Sequence, residues 1–239
     1  MHGFSQEASY FQAMAEPMRG QYQLWSVDLP GHGKTKWPVG KACKPADLRK
    51  LGESILQATG AQRCSIAGFS MGGRYAEGLV TGMPDRVESL HLISPEGLRP
   101  NYGLGFSTGN PLGRWLLRTQ RSHPGFILWP TQLLAKSGLM PKKLMDFFLF
   151  HLKRPEMRTL LHDSWMAMSG LPRADRAFSA LLRQHRIRSF IWIGKYDILV
   201  RIRDGKQFAA SAEGGLEVLD RGHFLVDREF ASKMLDAES

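Results

Sequence analysis

A serine, a histidine and an aspartate able to share acyl-transfer chemistry stand at positions 70, 223 and 197 of this sequence. Ser70 is the centre of Gly68-Phe69-Ser70-Met71-Gly72, a G-x-S-x-G pattern between the apolar run "RCSIAGF" and the helical pattern "GGRYAEGLVTGMPDR". A tight strand-to-helix turn strains the serine backbone, and small residues two positions to either side, here Gly68 and Gly72, avoid a clash. The turn lifts the hydroxyl above the carboxyl edge of the sheet. The helix start then aims unpaired N–H groups at the same point.

A serine is not nucleophilic at neutral pH unless a base takes its proton. His223, in "LDRGHFLVD", follows the last strand pattern, where the chain order Ser, Asp, His places the base. The other histidines fit less well. His91 lies inside a strand pattern, His123, His151, His162 and His185 lie in or beside helical segments, and His2 and His32 lie in turns. The third member should be a carboxylate that fixes the imidazole tautomer. Asp197, in "IWIGKYDILV", follows a strand pattern by a few residues, and Glu96, in "LISPEGL", is the alternative acid. Asp220 and Asp227 are too close to His223 in sequence to fold back onto its ring.

These residues need a sheet. Strand patterns fall at Tyr22–Asp28, Arg63–Phe69, Val87–Ile93, Arg188–Gly194 and Gly215–Asp220, alternating with helical patterns, which predicts a mostly parallel sheet flanked by helices. "PADLRKLGESILQATG" reads as a helix opened by Pro45 and closed by Gly60. The alternation breaks at Gly97. "GLRPNYGLGFSTGNP" reads as a loop, and helical stretches follow at "PLGRWLLRTQ", "PKKLMDFFLFHLK" and "PEMRTLLHDSWMAM". Residues 1–96 and 184–239 are therefore expected to form the core, with 97–183 inserted as a helical cap.

The chain of 239 residues suffices for one large domain with such an insertion. Its net charge of +10 is concentrated: residues 97–183 hold 13 Lys or Arg against 4 Asp or Glu, and the rest holds 19 against 18. Basic side chains solvating amphipathic helices account for this most simply; attraction to an anionic membrane surface or an anionic substrate is the sharper reading. No nucleic-acid motif accompanies the charge. Trp115, Phe126, Trp129, Phe147, Phe148, Phe150 and Trp165 are expected mostly to pack the cap onto the core, with a few lining an apolar pocket for a hydrophobic substrate. Cys43 and Cys64 cannot build a disulfide framework, and Cys64 reads as a core residue. No apolar run reaches the roughly 18 residues of a membrane span, and the expected location is the cytoplasm. "LPGHGKT" ends like a phosphate-binding loop, but Asp28 occupies the position of its first glycine.

Four stretches, "HGF", "DLPGHGKT", "GFSMGG" and "GKYD…RGHF", together resemble the α/β-hydrolase fold superfamily, in its lidded, esterase- and lipase-like kind. The match spans residues 2–224. The resemblance implies Ser70 as nucleophile, Asp197 as acid and His223 as base, with the Phe4 and Met71 amides forming the oxyanion hole. It implies a carboxylic ester substrate with an apolar acyl or aromatic group, and neither a metal nor an organic cofactor. Cleavage of a C–C bond in a diketone-like substrate by the same triad, or a non-catalytic scaffold, are the alternatives. Oligomeric state is not legible. In the family the strand ending at His-Gly lies between those corresponding to Tyr22–Asp28 and Arg63–Phe69, with two more before it. None of the three is in this sequence, so the chain is expected to begin late, at an internal methionine of a longer protein, unless a rearranged sheet pairs those two strands directly.

Overall fold

The computed structural model describes residues 1–125, 129, 133, 149–150 and 152–238. The predicted helix at "PKKLMDFFLFHLK" falls largely outside them, as do Phe126, Phe147, Phe148 and His151.

Four strands, β1 (Cys64–Phe69), β2 (Val87–Ile93), β3 (Arg188–Gly194) and β4 (Gly215–Leu219), form a parallel sheet whose spatial order is its chain order. β2 is buried at all but one residue, so both of its faces are covered, and the polar Ser89 and His91 are buried among its apolar residues. The described helices are α1 (Gln12–Ala15), α2 (Pro45–Thr59), α3 (Gly72–Gly82), α4 (Tyr102–Gly109), α5 (Pro111–Thr119), α6 (Pro155–Met168), α7 (Arg176–Gln184), α8 (Ile202–Ala212) and α9 (Arg228–Glu238). Pro45 opens α2, and Gly60 closes it at φ 70°.

Two apolar clusters sandwich the sheet. One joins Leu48 of α2, Tyr75 and Val80 of α3, Leu90 and Leu92 of β2, and Phe208 of α8. The other joins Phe69, Ile93 and Trp192 from the strand ends to Met14 of α1 and Phe230 of α9. α4, α5, α6 and α7 all lie in the chain between β2 and β3. Among the described residues no helix is long and apolar enough to cross a membrane.

Two expectations fail. Tyr22–Asp28 is not a strand and does not pair with β1. A strand exists only through its ladder. Here Tyr22, Leu24, Trp25 and Val27 instead face Cys64–Ala67 of β1 across a groove of about 390 Å³. The second failure is "GLRPNYGLGFSTGNP", read as a loop, whose centre is the helix α4. Its glycines disfavour a helix, but Asn101 caps it by accepting from the Leu104 amide at 3.0 Å, and α5 packs against it so closely that a side chain on Gly113 would strike the Phe106 carbonyl. The expectation of packed cap aromatics also needs revision. Trp165 packs on the core, whereas Trp115, Trp129 and Phe150 are each more than half exposed.

Candidate active site

Each candidate side chain follows the carboxyl end of a strand. Ser70 comes one residue after β1, Glu96 three after β2, Asp197 three after β3 and His223 four after β4. Because the strands are parallel, one edge of the sheet presents all four.

Ser70 has φ 51°, the left-handed region that L-residues avoid. The neighbouring chain holds it there: its amide donates to the Ile93 carbonyl at 2.9 Å, and its carbonyl accepts from Glu96 at 2.8 Å and Gly73 at 2.9 Å. The flanking glycines serve two contacts. A Cβ on Gly68 would lie 2.5 Å from the Gly72 carbonyl oxygen. A Cβ on Gly72 would lie 2.2 Å from the Met1 carbonyl oxygen and 2.6 Å from that of His2. The second glycine therefore admits the N-terminal turn, a role the G-x-S-x-G pattern does not reveal.

His223 Nε2 accepts from the Ser70 hydroxyl at 3.0 Å, and its Nδ1 donates to Asp197 Oδ2 at 2.8 Å. The other Asp197 oxygen accepts from the Leu199 and Val200 amides at 2.8 and 3.0 Å. Burial pushes the Asp197 carboxyl up, but the His223 bond and charge and the two amides outweigh it, holding the group below the usual carboxylate range. A carboxylate anchored on one oxygen and facing an imidazole with the other fixes the tautomer with a bare Nε2. Phe69 and Phe224 flank the imidazole at ring centroid distances of 5.1 and 5.6 Å.

Glu96, the alternative acid, points elsewhere. It lies 3.6 Å from the Arg74 guanidinium and accepts from Asn101 at 3.3 Å, with its pKa raised by burial. Arg74 also faces buried Glu77 and donates to the Leu171 carbonyl at 2.7 Å, so this cluster ties the helix after the serine to the chain following α6. An Arg and a Glu three apart in an otherwise small and apolar helix were its only trace in the sequence.

A second serine–histidine–carboxylate grouping lies in the sheet. His91 Nε2 is 3.5 Å from Ser89 Oγ, but Glu238 takes that same nitrogen at 2.7 Å, and the Trp192 indole donates to Nδ1 at 3.2 Å. With both nitrogens occupied and the ring 1 % exposed, His91 has no nitrogen free to activate a hydroxyl. His162 and His185 pair with Asp163 and Asp85.

The turn holding Phe4 is drawn against β1 and α3. The Met1 amino group, whose pKa burial lowers to about 5, donates to the Ala67 carbonyl at 2.8 Å, and the Met1 carbonyl accepts from the Phe69 amide at 2.9 Å. Met71 follows Ser70 directly and caps α3, whose first amides have no acceptor within the helix. Asp28 shapes the neighbouring "DLPGHGKT" turn by accepting from the Ala8 and Lys34 amides at 2.7 and 2.9 Å. Among the described residues no cluster of three or more His, Cys, Asp or Glu could hold a metal ion, and the cysteines are unpaired.

The profile of the Alpha/beta hydrolase family matches residues 1–233. The dihydrolipoyllysine-residue acetyltransferase component of the acetoin cleaving system of Cupriavidus necator is 29% identical over 149 residues, covering 62% of this chain and 38% of that protein. The pimeloyl-[acyl-carrier protein] methyl ester esterase of Nitrosomonas europaea is 30% identical over 94 residues, covering 39% of this chain and 35% of the relative. The matches thus span little more than a third of these curated relatives. The solved structure of a thermophilic esterase from Thermogutta terrifontis superposes with a TM-score of 0.65 at 16% identity, over 99% of this chain and 85% of that one.

Proposed function

The chain belongs to the alpha/beta hydrolase family, and we propose that it is a serine hydrolase cleaving a carboxylic ester through an acyl-enzyme. The observation that carries this is the 3.0 Å contact from Ser70 Oγ to His223 Nε2, with Asp197 on the other ring nitrogen. Ser70 Oγ attacks the ester carbonyl as His223 takes its proton. The tetrahedral oxyanion accepts from the Met71 and Phe4 amides. The bond to the alcohol oxygen then breaks as His223 returns the proton to it. Water, deprotonated by the same nitrogen, attacks the acyl carbon; the acid leaves and Ser70 regains its proton. Asp197 stabilises the imidazolium in both halves. Gly68 and Gly72 make room for the elbow, and residues 97–183 act as the cap. The names of the N. europaea and T. terrifontis proteins, both esterases, favour an ester over other acyl substrates.

Turnover of p-nitrophenyl esters of rising chain length, with Ser70→Ala as control, tests this. Hydrolysis that survives the substitution contradicts it.

The charge of residues 97–183 favours an anionic ester or an ester presented by an anionic carrier. Arg114, Arg118, Lys153, Arg154, Arg173 and Arg176 are exposed there, whereas Arg158 is buried and donates to the carbonyls of Arg121, Leu152 and Lys153. KM for an anionic ester should rise with salt while that for a neutral ester does not.

A further inference from the structure

We propose that His2 and His32 are positioning residues: as neutral imidazoles they clamp the turn presenting the Phe4 amide to the elbow, and protonation of either ring releases that turn. The proposal rests on the hydrolase reading, in which this amide binds the oxyanion.

The two rings are buried, 0 and 3 % exposed, and meet edge to face at 5.1 Å. Their bonds are reciprocal. His2, on the N-terminal turn, accepts at Nε2 from the Leu29 amide of the second turn at 3.0 Å. His32, on the second turn, accepts at Nε2 from the Ser5 amide of the first at 3.3 Å. Phe4, between them, sets its ring edge to face on His32. Ser5 has φ 58°, a conformation that must be held in place from outside.

The protonation state follows from the partners. An amide can only donate, so each Nε2 must be bare. The other nitrogens face carbonyls, which only accept: Gly3 O at 2.8 Å for His2 and Pro30 O at 3.1 Å for His32. Both rings therefore carry their proton on Nδ1. A second proton would go on Nε2, aimed at an N–H, so protonation and the clamp exclude one another. Burial, first among the causes, depresses both pKa values, that of His2 to about 4. The titratable and charged groups around the pair are the Met1 amine, whose pKa burial lowers to about 5, Asp28 and Lys34, with Asp163 and its partner His162 beyond Gly31. The Asp28 carboxylate is committed to the Ala8 and Lys34 amides. The contrast with His223, whose Nδ1 faces a carboxylate, is chemical: one histidine is arranged to take a proton and two are arranged to refuse it.

Hydrogen–deuterium exchange and fluorophosphonate labelling of the full chain, both read by mass spectrometry, test this. In His32→Leu the peptide holding Ser5 should exchange about tenfold faster or more. Labelling of Ser70 and kcat for a p-nitrophenyl ester should fall roughly 10–100-fold, with KM within about twofold. His32→Gln, whose amide oxygen can accept from Ser5 but does not titrate, should restore both to within about threefold. It should also blunt the loss of protection, measured against the intrinsic exchange rate at each pH, that the wild type undergoes as pH falls towards 4. Circular dichroism identifies any variant that has not folded, and the difference between the wild-type and His32→Gln pH series separates the imidazole from the Met1 amine, whose pKa burial lowers to about 5. A wild-type protection factor at Ser5 that is flat across this range, or a folded His32→Leu that is protected and labelled like the wild type, overturns the clamp. A wild type that never labels at Ser70 sinks the hydrolase reading, and the exchange comparison still decides the clamp.

Discussion

The elbow at Ser70 and the turn at His2–Phe4 are the two halves of the proposed site, and they are held by different means. The elbow is fixed by main-chain bonds to the ends of the sheet, Ile93 and Glu96 among them, so it cannot move unless the sheet does. The turn is held by two imidazoles and by the Met1 main chain on the edge of β1. The part that must orient a nucleophile is built into the fold. The part that only presents an N–H hangs on side chains that acid can alter. Rigidity here follows the hydrogen-bond acceptor, main chain or side chain, more than depth: both halves are buried or nearly so.

The largest effect should come from breaking the first half. Ser70→Ala should lower kcat about 10³–10⁶-fold with the fold unchanged by circular dichroism. Asp197→Asn should cost roughly 10³–10⁴-fold, because an amide cannot enforce the tautomer that leaves Nε2 bare; KM should move little. Gly72→Ala strikes the joint between the halves. Its methyl would meet the Met1 and His2 carbonyls, so the turn is displaced while the Ser70–His223 contact survives. A kcat loss of about 10–100-fold with residual labelling of Ser70 is expected. An unchanged kcat would mean that the turn takes no part.

The smallest effect separates the halves by pH. His2 falls from an unfolded value of 6.5 to about 4. Its contribution to stability is therefore complete above pH 6.5 and lost as pH falls through the interval down to about 4, roughly 3 kcal/mol in all. Urea midpoints measured across this interval should fall for the wild type and less for His2→Gln. Asp28 and Asp197, both depressed, add their losses below the ordinary carboxylate value of 3.8, at lower pH.

Much of this was legible in the sequence. Val87–Ile93 and Arg188–Gly194 have the expected bounds, because each clusters apolar residues too closely for a helical period and lies between helical patterns. Ser70, Asp197 and His223 were legible as candidates because each follows the carboxyl end of a strand pattern. Tyr22–Asp28 misled because its residues favour extended backbone, while strand formation depends on a neighbour that composition does not encode. α4 misled in the opposite direction: its glycines argued for a loop, and one capping asparagine with a packed neighbour prevailed. His2 and His32 could be placed in turns but not paired, since the bonds joining them cross 27 residues of chain.

The central claim is that His223 and Asp197 activate Ser70. Intact-mass measurement of fluorophosphonate labelling tests it most directly. The account predicts a single adduct, mapped to Ser70, that is absent in Ser70→Ala and forms at least about 10²-fold more slowly in folded His223→Ala. An adduct elsewhere, or labelling of Ser70 at the wild-type rate without His223, would contradict it.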